Sequence, residues 1–137
     1  MTGTLSDGMP YAEFAGTRLE STRYYLEVAD DAHELMRGLM HRFSMVENMG
    51  MIFIFDTDSL RSFWMRNTYL ALDMVFVTSE GVVDSFVENA EPRTDTPRRS
   101  AGPARFVIEL NAGEVARMGL EAGSTVVLEG LAPEASP

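Results

Sequence analysis

Cysteine is absent from this chain, which excludes disulfides, thiol nucleophiles, iron–sulfur ligation and cysteine-based zinc fingers. It also removes the usual redox clue to compartment. Lysine is absent too: all 11 basic side chains are arginines, so Schiff-base chemistry, pyridoxal attachment and a P-loop lysine are excluded. No run of roughly 18 apolar residues occurs, so no transmembrane segment is expected. Met1 to Thr22 is polar and Gly-rich and lacks the basic start and apolar stretch of an export signal. Two expectations for compartment follow, a cytoplasmic protein or the mature part of an exported one. Positive charge is scarce. With 21 acidic side chains the net charge is −10, a balance that repels phosphate backbones and anionic lipid, so nucleic acid is not an expected partner.

What is present reads as a folded globular chain. Hydrophobic residues make up 45% and charged residues 23%, outside the ranges of disordered or membrane-spanning sequences. Its 137 residues suit one domain better than two weak ones. The expected organisation is a flexible N-terminal segment over residues 1–22, a single globular domain over 23–130 and a frayed tail over 131–137.

Tyr24 to Ala29 reads as a short strand. Asp31 and Glu34 are then spaced as a capping box, which predicts a helix of about three turns to roughly Arg42. Leu35, Met36, Leu39 and Met40 fall on one arc of that helix as a core face, while His33, Arg37 and His41 recur on another. From Gly50, the run MIFIFD predicts a strand covered on both faces. Ser62 to Thr68 alternates, with Phe63 and Met65 on one side and Trp64, Arg66 and Thr68 on the other. Leu72 to Val77 and Val82 to Val87 flank the turn Ser79-Glu80-Gly81 as a hairpin.

Asn89 to Ala104 contains four residues of the types Pro and Gly, several charges and no apolar periodicity, the pattern of a long functional loop. Arg105 to Leu110 resumes strand alternation. Asn111 with Glu114 makes a second capping box for a short helix ending at Gly119, and Thr125 to Glu129 is the last strand. The prediction is a mainly β fold (α+β with two short helices), a curved sheet or partial barrel with a cleft on one side.

Several stretches also carry a family resemblance: RGLMHR at Arg37 to Arg42, GMIFIF at Gly50 to Phe55, SFWMRNT at Ser62 to Thr68, LDMVF at Leu72 to Phe76, ENA at Glu88 to Ala90 and GPARFVIELNAG at Gly102 to Gly113. In this order the chain resembles a widespread bacterial and archaeal family, domain of unknown function 192. The resemblance covers most of Tyr24 to Glu129. It implies a mainly β fold with a cleft for a ligand such as a carbohydrate, and many relatives carry an export signal. Three positions depart from the pattern: Ala71 stands where Pro is frequent, Ser124 where Asp is frequent, and His41 where an aromatic residue is frequent. The last argues against His41 as a catalytic base.

The candidate ligand-binding residues are Arg37, Trp64, Arg66, Asn67, Asp73 and Glu109. Asp73 lies inside an apolar strand, where an unpartnered carboxylate is expensive, so Arg66, Asn67 or Thr68 is expected to partner it. A structural network and a cleft site are both open for it. Trp64, the single tryptophan, shares a face with Arg66 and suits stacking on a sugar ring or capture of a small anion, although burial in the core is the simpler reading. Arg37 precedes Gly38, a helix breaker unless close approach requires it, and this points Arg37 toward the cleft or toward Asp73 or Glu109; an ordinary surface arginine is the alternative. Glu109 alternates with the apolar Phe106, Ile108 and Leu110, so a solvent-facing position is its simplest reading. Paired with Asp73 it would form a two-carboxylate hydrolase site, whose outcome depends on carboxylate separation.

Ten methionines suggest copper, but Met36, Met40, Met51, Met65 and Met74 sit in apolar patterns that core filling explains. His33 and His41 lack the four-residue spacing of a helical zinc pair. Neither a metal nor a cofactor is expected. Arg93, Arg98 and Arg99 concentrate positive charge in the long loop, as an anion site, a lid, or a solvated loop. The leading expectation is a non-enzymatic domain that binds a small polar or carbohydrate-like molecule. The alternatives are a hydrolase using Asp73 and Glu109 and an accessory protein-interaction domain.

Overall fold

A computed structural model describes residues 8–18 and 22–131. Among the described residues there are nine strands: β1 (Tyr11–Phe14), β2 (Arg23–Ala29), β3 (Met49–Ser59), β4 (Ser62–Phe63), β5 (Leu72–Val77), β6 (Val83–Ala90), β7 (Arg98–Arg99), β8 (Ala104–Asn111) and β9 (Val126–Glu129). Two short helices join them, α1 (Ala32–Arg37) and α2 (Glu114–Met118). Seven strands form one sheet in the order β6-β5-β8-β3-β2-β1-β9. All neighbours are antiparallel except β2 and β3, which run parallel because α1 lies in the crossover between them. Val82 bridges Thr125, so the two edges of the sheet meet at one corner and the whole curls into a half-barrel.

Both faces of the central strands are covered, which is why β3, β5 and β8 read as nearly continuous apolar runs. The inner face gathers Phe14, Tyr24, Leu26, Ile52, Phe106 and Ile108 around Val115 and Met118 from α2. The outer face holds Met51, Phe53, Met74, Phe76 and Val107 beneath Leu39 and Met65. Alternate residues of one strand therefore feed two separate cores.

Several local expectations change. Tyr11–Phe14 lies within the segment expected to be flexible, yet it forms β1 between β2 and β9. Residues 1–7 and 19–21 of that segment, and 132–137 of the tail, lie outside the described residues. The N-cap half of the expected capping box is present, with Glu34 N donating to Asp31 Oδ1 at 2.8 Å, while the return bond to Glu34 Oε1 comes from Asp30 N at 3.1 Å, one residue before the N-cap. The helix nevertheless stops at Arg37 and not near Arg42. Gly38 takes a φ of 49°, and a Cβ there would lie 3.0 Å from Phe53 Cζ, so the chain must turn where it crosses the sheet.

Asn111 caps nothing. Its amide donates to the Met45 carbonyl at 3.0 Å, and the N-cap of α2 is Gly113. Of Ser62 to Thr68 only Ser62–Phe63 is strand, and it pairs with β7. That pairing gives the 89–104 loop structure that its composition does not advertise. Further bonds hold the loop down, from Met65 N to the Thr94 carbonyl at 2.9 Å and from Arg93 N to the Thr68 carbonyl at 2.9 Å.

Candidate functional site

The register of β8 sets the site. β8 lies between β3 and β5, and Glu109 sits opposite Met51 on one side and Met74 on the other. Its side chain thus emerges on the outer core face, beside Val107, and is 4% exposed. The simpler expectation of a solvent-facing Glu109 is overturned, because α1 and residues 62–68 cover that face. Among the described residues no donor reaches the Glu109 carboxyl. Burial pushes its pKa up to about 8, so at neutral pH it is mostly a protonated acid, both donor and acceptor.

Glu109 opens into a cavity of about 480 Å³. One wall is α1 with the turn that follows it; the opposite wall is the 62–68 connection together with Asp95 and Pro97. Aromatic rings from β3 and β4 line the interior: Phe63 meets Phe53 edge-on at 4.9 Å and Phe55 at 6.3 Å. Near the mouth, the Arg66 guanidinium lies 3.9 Å from the centroid of Trp64. The same guanidinium grips Asp95 through Nε at 3.0 Å and Nη2 at 2.7 Å. This bidentate pair holds the Asp95 carboxyl below the usual carboxylate range. Arg37, exposed on α1, also lines the cavity and forms no ion pair among the described residues.

Of the six residues read from the sequence, Arg37, Trp64, Arg66 and Glu109 share this cavity, and Asn67 and Asp73 do not. Trp64, for which the core was the simpler expectation, is 38% exposed at the cavity wall. Met36, expected on the core arc, is likewise exposed there. Asn67 adopts a φ of 56° and its carbonyl accepts from His41 N at 2.7 Å; it shapes the turn.

Asp73 is fully buried, but Arg66, Asn67 and Thr68 are not its partners. Its Oδ1 accepts from Asn89 N at 2.9 Å, and its Oδ2 from Gly113 N at 3.1 Å and Val115 N at 2.9 Å. The carboxylate therefore caps α2 from a distant strand and fixes the end of β6. Asp73 shares the inner face with Val75 and Val77, whereas Glu109 shares the outer face with Val107. Two carboxyls on opposite faces of a sheet cannot flank one bond, so the paired-carboxylate hydrolase reading falls.

Asp95, Phe53, Phe55 and Phe63 are cavity residues that sequence reasoning did not select. The alternation around Phe63 marked it as buried. Nothing local marked Asp95, which reaches the site only because β7 pairs with β4.

A second hollow, about 450 Å³, borders Tyr24, Glu47, Asn48 and Arg117. There the Tyr24 hydroxyl donates to Glu114 at 2.6 Å and accepts from Arg117 at 3.2 Å, and Arg117 also pairs with Glu114 at 2.8 Å. These polar groups are satisfied among themselves. No helix among the described residues is long and apolar enough to cross a membrane.

The model of domain of unknown function 192, described as Uncharacterized ACR, matches residues 15–128. The chain belongs to this family. Among curated proteins no match is found. A solved structure from Sinorhizobium meliloti 1021, named provisionally as a transcription regulator, is 34% identical with a TM-score of 0.83, over 89% of this chain and 95% of its own. A protein of unknown function from Novosphingobium aromaticivorans is 35% identical with a TM-score of 0.81, over 85% of this chain and 83% of its own. Both therefore share with this domain of unknown function 192 protein the sheet on which the cavity is built.

Proposed function

We propose that this domain binds a small ligand in the outer-face cavity and does not transform it. The carrying observation is Glu109, a buried carboxyl that opens into an aromatic-walled cavity and meets no donor among the described residues. Among the described residues no side-chain oxygen is both shut off from solvent and unbonded, so solvent reaches the Glu109 carboxyl through the cavity, and a ligand that hydrogen-bonds to it takes the place of that solvent. The reading assigns ligand contact to Arg37, Trp64, Arg66 and Glu109, with Asn67 and Asp73 supporting the fold. Flat aromatic walls beside one deep polar group suit a compact, polar or carbohydrate-like molecule with an apolar face. The net charge of −10 supports a small ligand over nucleic acid; the regulator name belongs to the Sinorhizobium meliloti protein.

A glycan and metabolite panel, screened by thermal shift, tests the reading. The expected result is at least one hit whose stabilisation is lost in Glu109→Gln and weakened in Trp64→Ala. An absence of hits, or hits indifferent to both substitutions, overturns it.

A further inference from the structure

Among the described residues Glu109 pairs with no basic side chain, although Arg37 and Arg66 line the same cavity. Along its row of the sheet, Met51 and Met74 flank it, and Glu27 of β2 follows beyond Met51, where Arg42 already grips it at 2.5 and 2.8 Å. Across the cavity, Arg66 is neutralised by Asp95, and Arg37 stands exposed on α1. The one titratable group in the cavity that is both buried and uncompensated is therefore acidic, among the described residues.

The walls point to the same chemistry. Phe53 and Phe63 pack edge to face at 4.9 Å, and they line the cavity together with Phe55 and Trp64, each of which already holds a guanidinium over its ring, Arg61 at 3.8 Å and Arg66 at 3.9 Å. Aromatic faces carry negative quadrupole charge and attract cations, most strongly where water is excluded. The net charge of −10 on the chain raises the local concentration of cations at long range.

We infer that the ligand carries a protonated amine, which seats against the Glu109 carboxylate within the aromatic walls. This inference rests on the cavity being a ligand site. An amine-bearing ring compound, such as an amino sugar, combines the ammonium with the flat face that Trp64 suits.

Binding then moves a proton in a defined direction. The free Glu109 carboxyl is mostly protonated at pH 7, and the ammonium arrives already charged. Forming the ion pair requires the carboxyl to ionise, so its proton leaves to the buffer while the amine keeps its own. Amine affinity accordingly rises by about tenfold per pH unit up to the titration of the free carboxyl near pH 8 and levels off above it.

Calorimetric titration of the wild-type chain with two matched pairs, whose amines both stay protonated through pH 9, tests the inference: cyclohexylamine against cyclohexanol, and phenethylamine against phenethyl alcohol. Buffers of different ionisation enthalpy report proton release. The expected result is that each amine that binds does so about tenfold or more tightly than its alcohol partner. It releases close to one proton at pH 7 and far less at pH 9, and it loses this preference in Glu109→Gln. Alcohols that bind as tightly as amines, or amines that bind with no proton release, overturn it. Silence from all four compounds also overturns the amine assignment, whereas the cavity reading stands or falls on the wider panel above. Proton release by the wild type keeps the test decisive even if the Glu109→Gln chain folds poorly.

Discussion

Asp73 and Glu109 stand on adjacent strands, one residue out of register, and project through opposite faces of the sheet. The offset separates two carboxyls of the same chemistry into different jobs. Asp73 meets three backbone N–H groups and holds the end of α2. Glu109 meets none among the described residues and faces a cavity.

Replacing Asp73 with alanine should damage stability and not the cavity. The substitution leaves the Asn89, Gly113 and Val115 N–H groups without their acceptor, and hydrogen bonds to charged groups are among the stronger ones. A loss of about 3–5 kcal/mol is expected in urea unfolding. Amide exchange at Val115 should accelerate more than exchange in β3, because α2 loses its cap.

The pH dependence of stability should carry the signature of Glu109. The folded carboxyl titrates near pH 8, against an ordinary value of 4.5. Between those values the unfolded chain binds fewer protons than the folded one, so this group's contribution falls as pH rises through that window. Glu109→Gln, which cannot ionise, should gain on the wild type by roughly 4 kcal/mol between pH 5 and pH 8.5. Thermal unfolding of both chains across that range measures the gain; parallel curves would refute it.

Gly38→Ala should be strained twice over. The residue has a φ of 49°, unfavourable for an L side chain, and its new methyl would meet Phe53 Cζ at 3.0 Å. Destabilisation of about 1–3 kcal/mol is expected. Because Phe53 lines the cavity, its ring proton resonances should also shift.

Arg66→Lys should alter the cavity mouth while sparing stability. Lysine offers no planar fork for Asp95 and no flat face for Trp64. Both members of the ion pair are exposed, so the unfolding midpoint should stay within experimental error. Trp64 is the sole tryptophan, and its fluorescence spectrum should shift as the stacked cation departs. An unchanged spectrum would show that the stack does not persist in solution.

The sequence carried the parts of this fold that depend on local periodicity. The strands around Leu26, Ile52, Val75 and Ile108, the Asp31 N-cap of α1, and the termination of α2 at Gly119 all follow from near neighbours in the chain. The candidate site was half legible. Arg37, Trp64, Arg66 and Glu109 stood out as polar or aromatic residues in apolar patterns, and the cavity unites them.

Long-range pairing decided the rest. Whether Glu109 faces water or a cavity depends on α1 folding over β8. Whether Asp73 needs a side-chain partner depends on the backbone of α2 arriving at hydrogen-bonding distance, about 40 residues later. Asp95 reaches Arg66 only through the pairing of β7 with β4. In the sequence, alternation assigned each carboxyl to one side of its own strand; only the stacking of strands and helices determined what lay on that side, because burial belongs to the assembled sheet and not to any one segment.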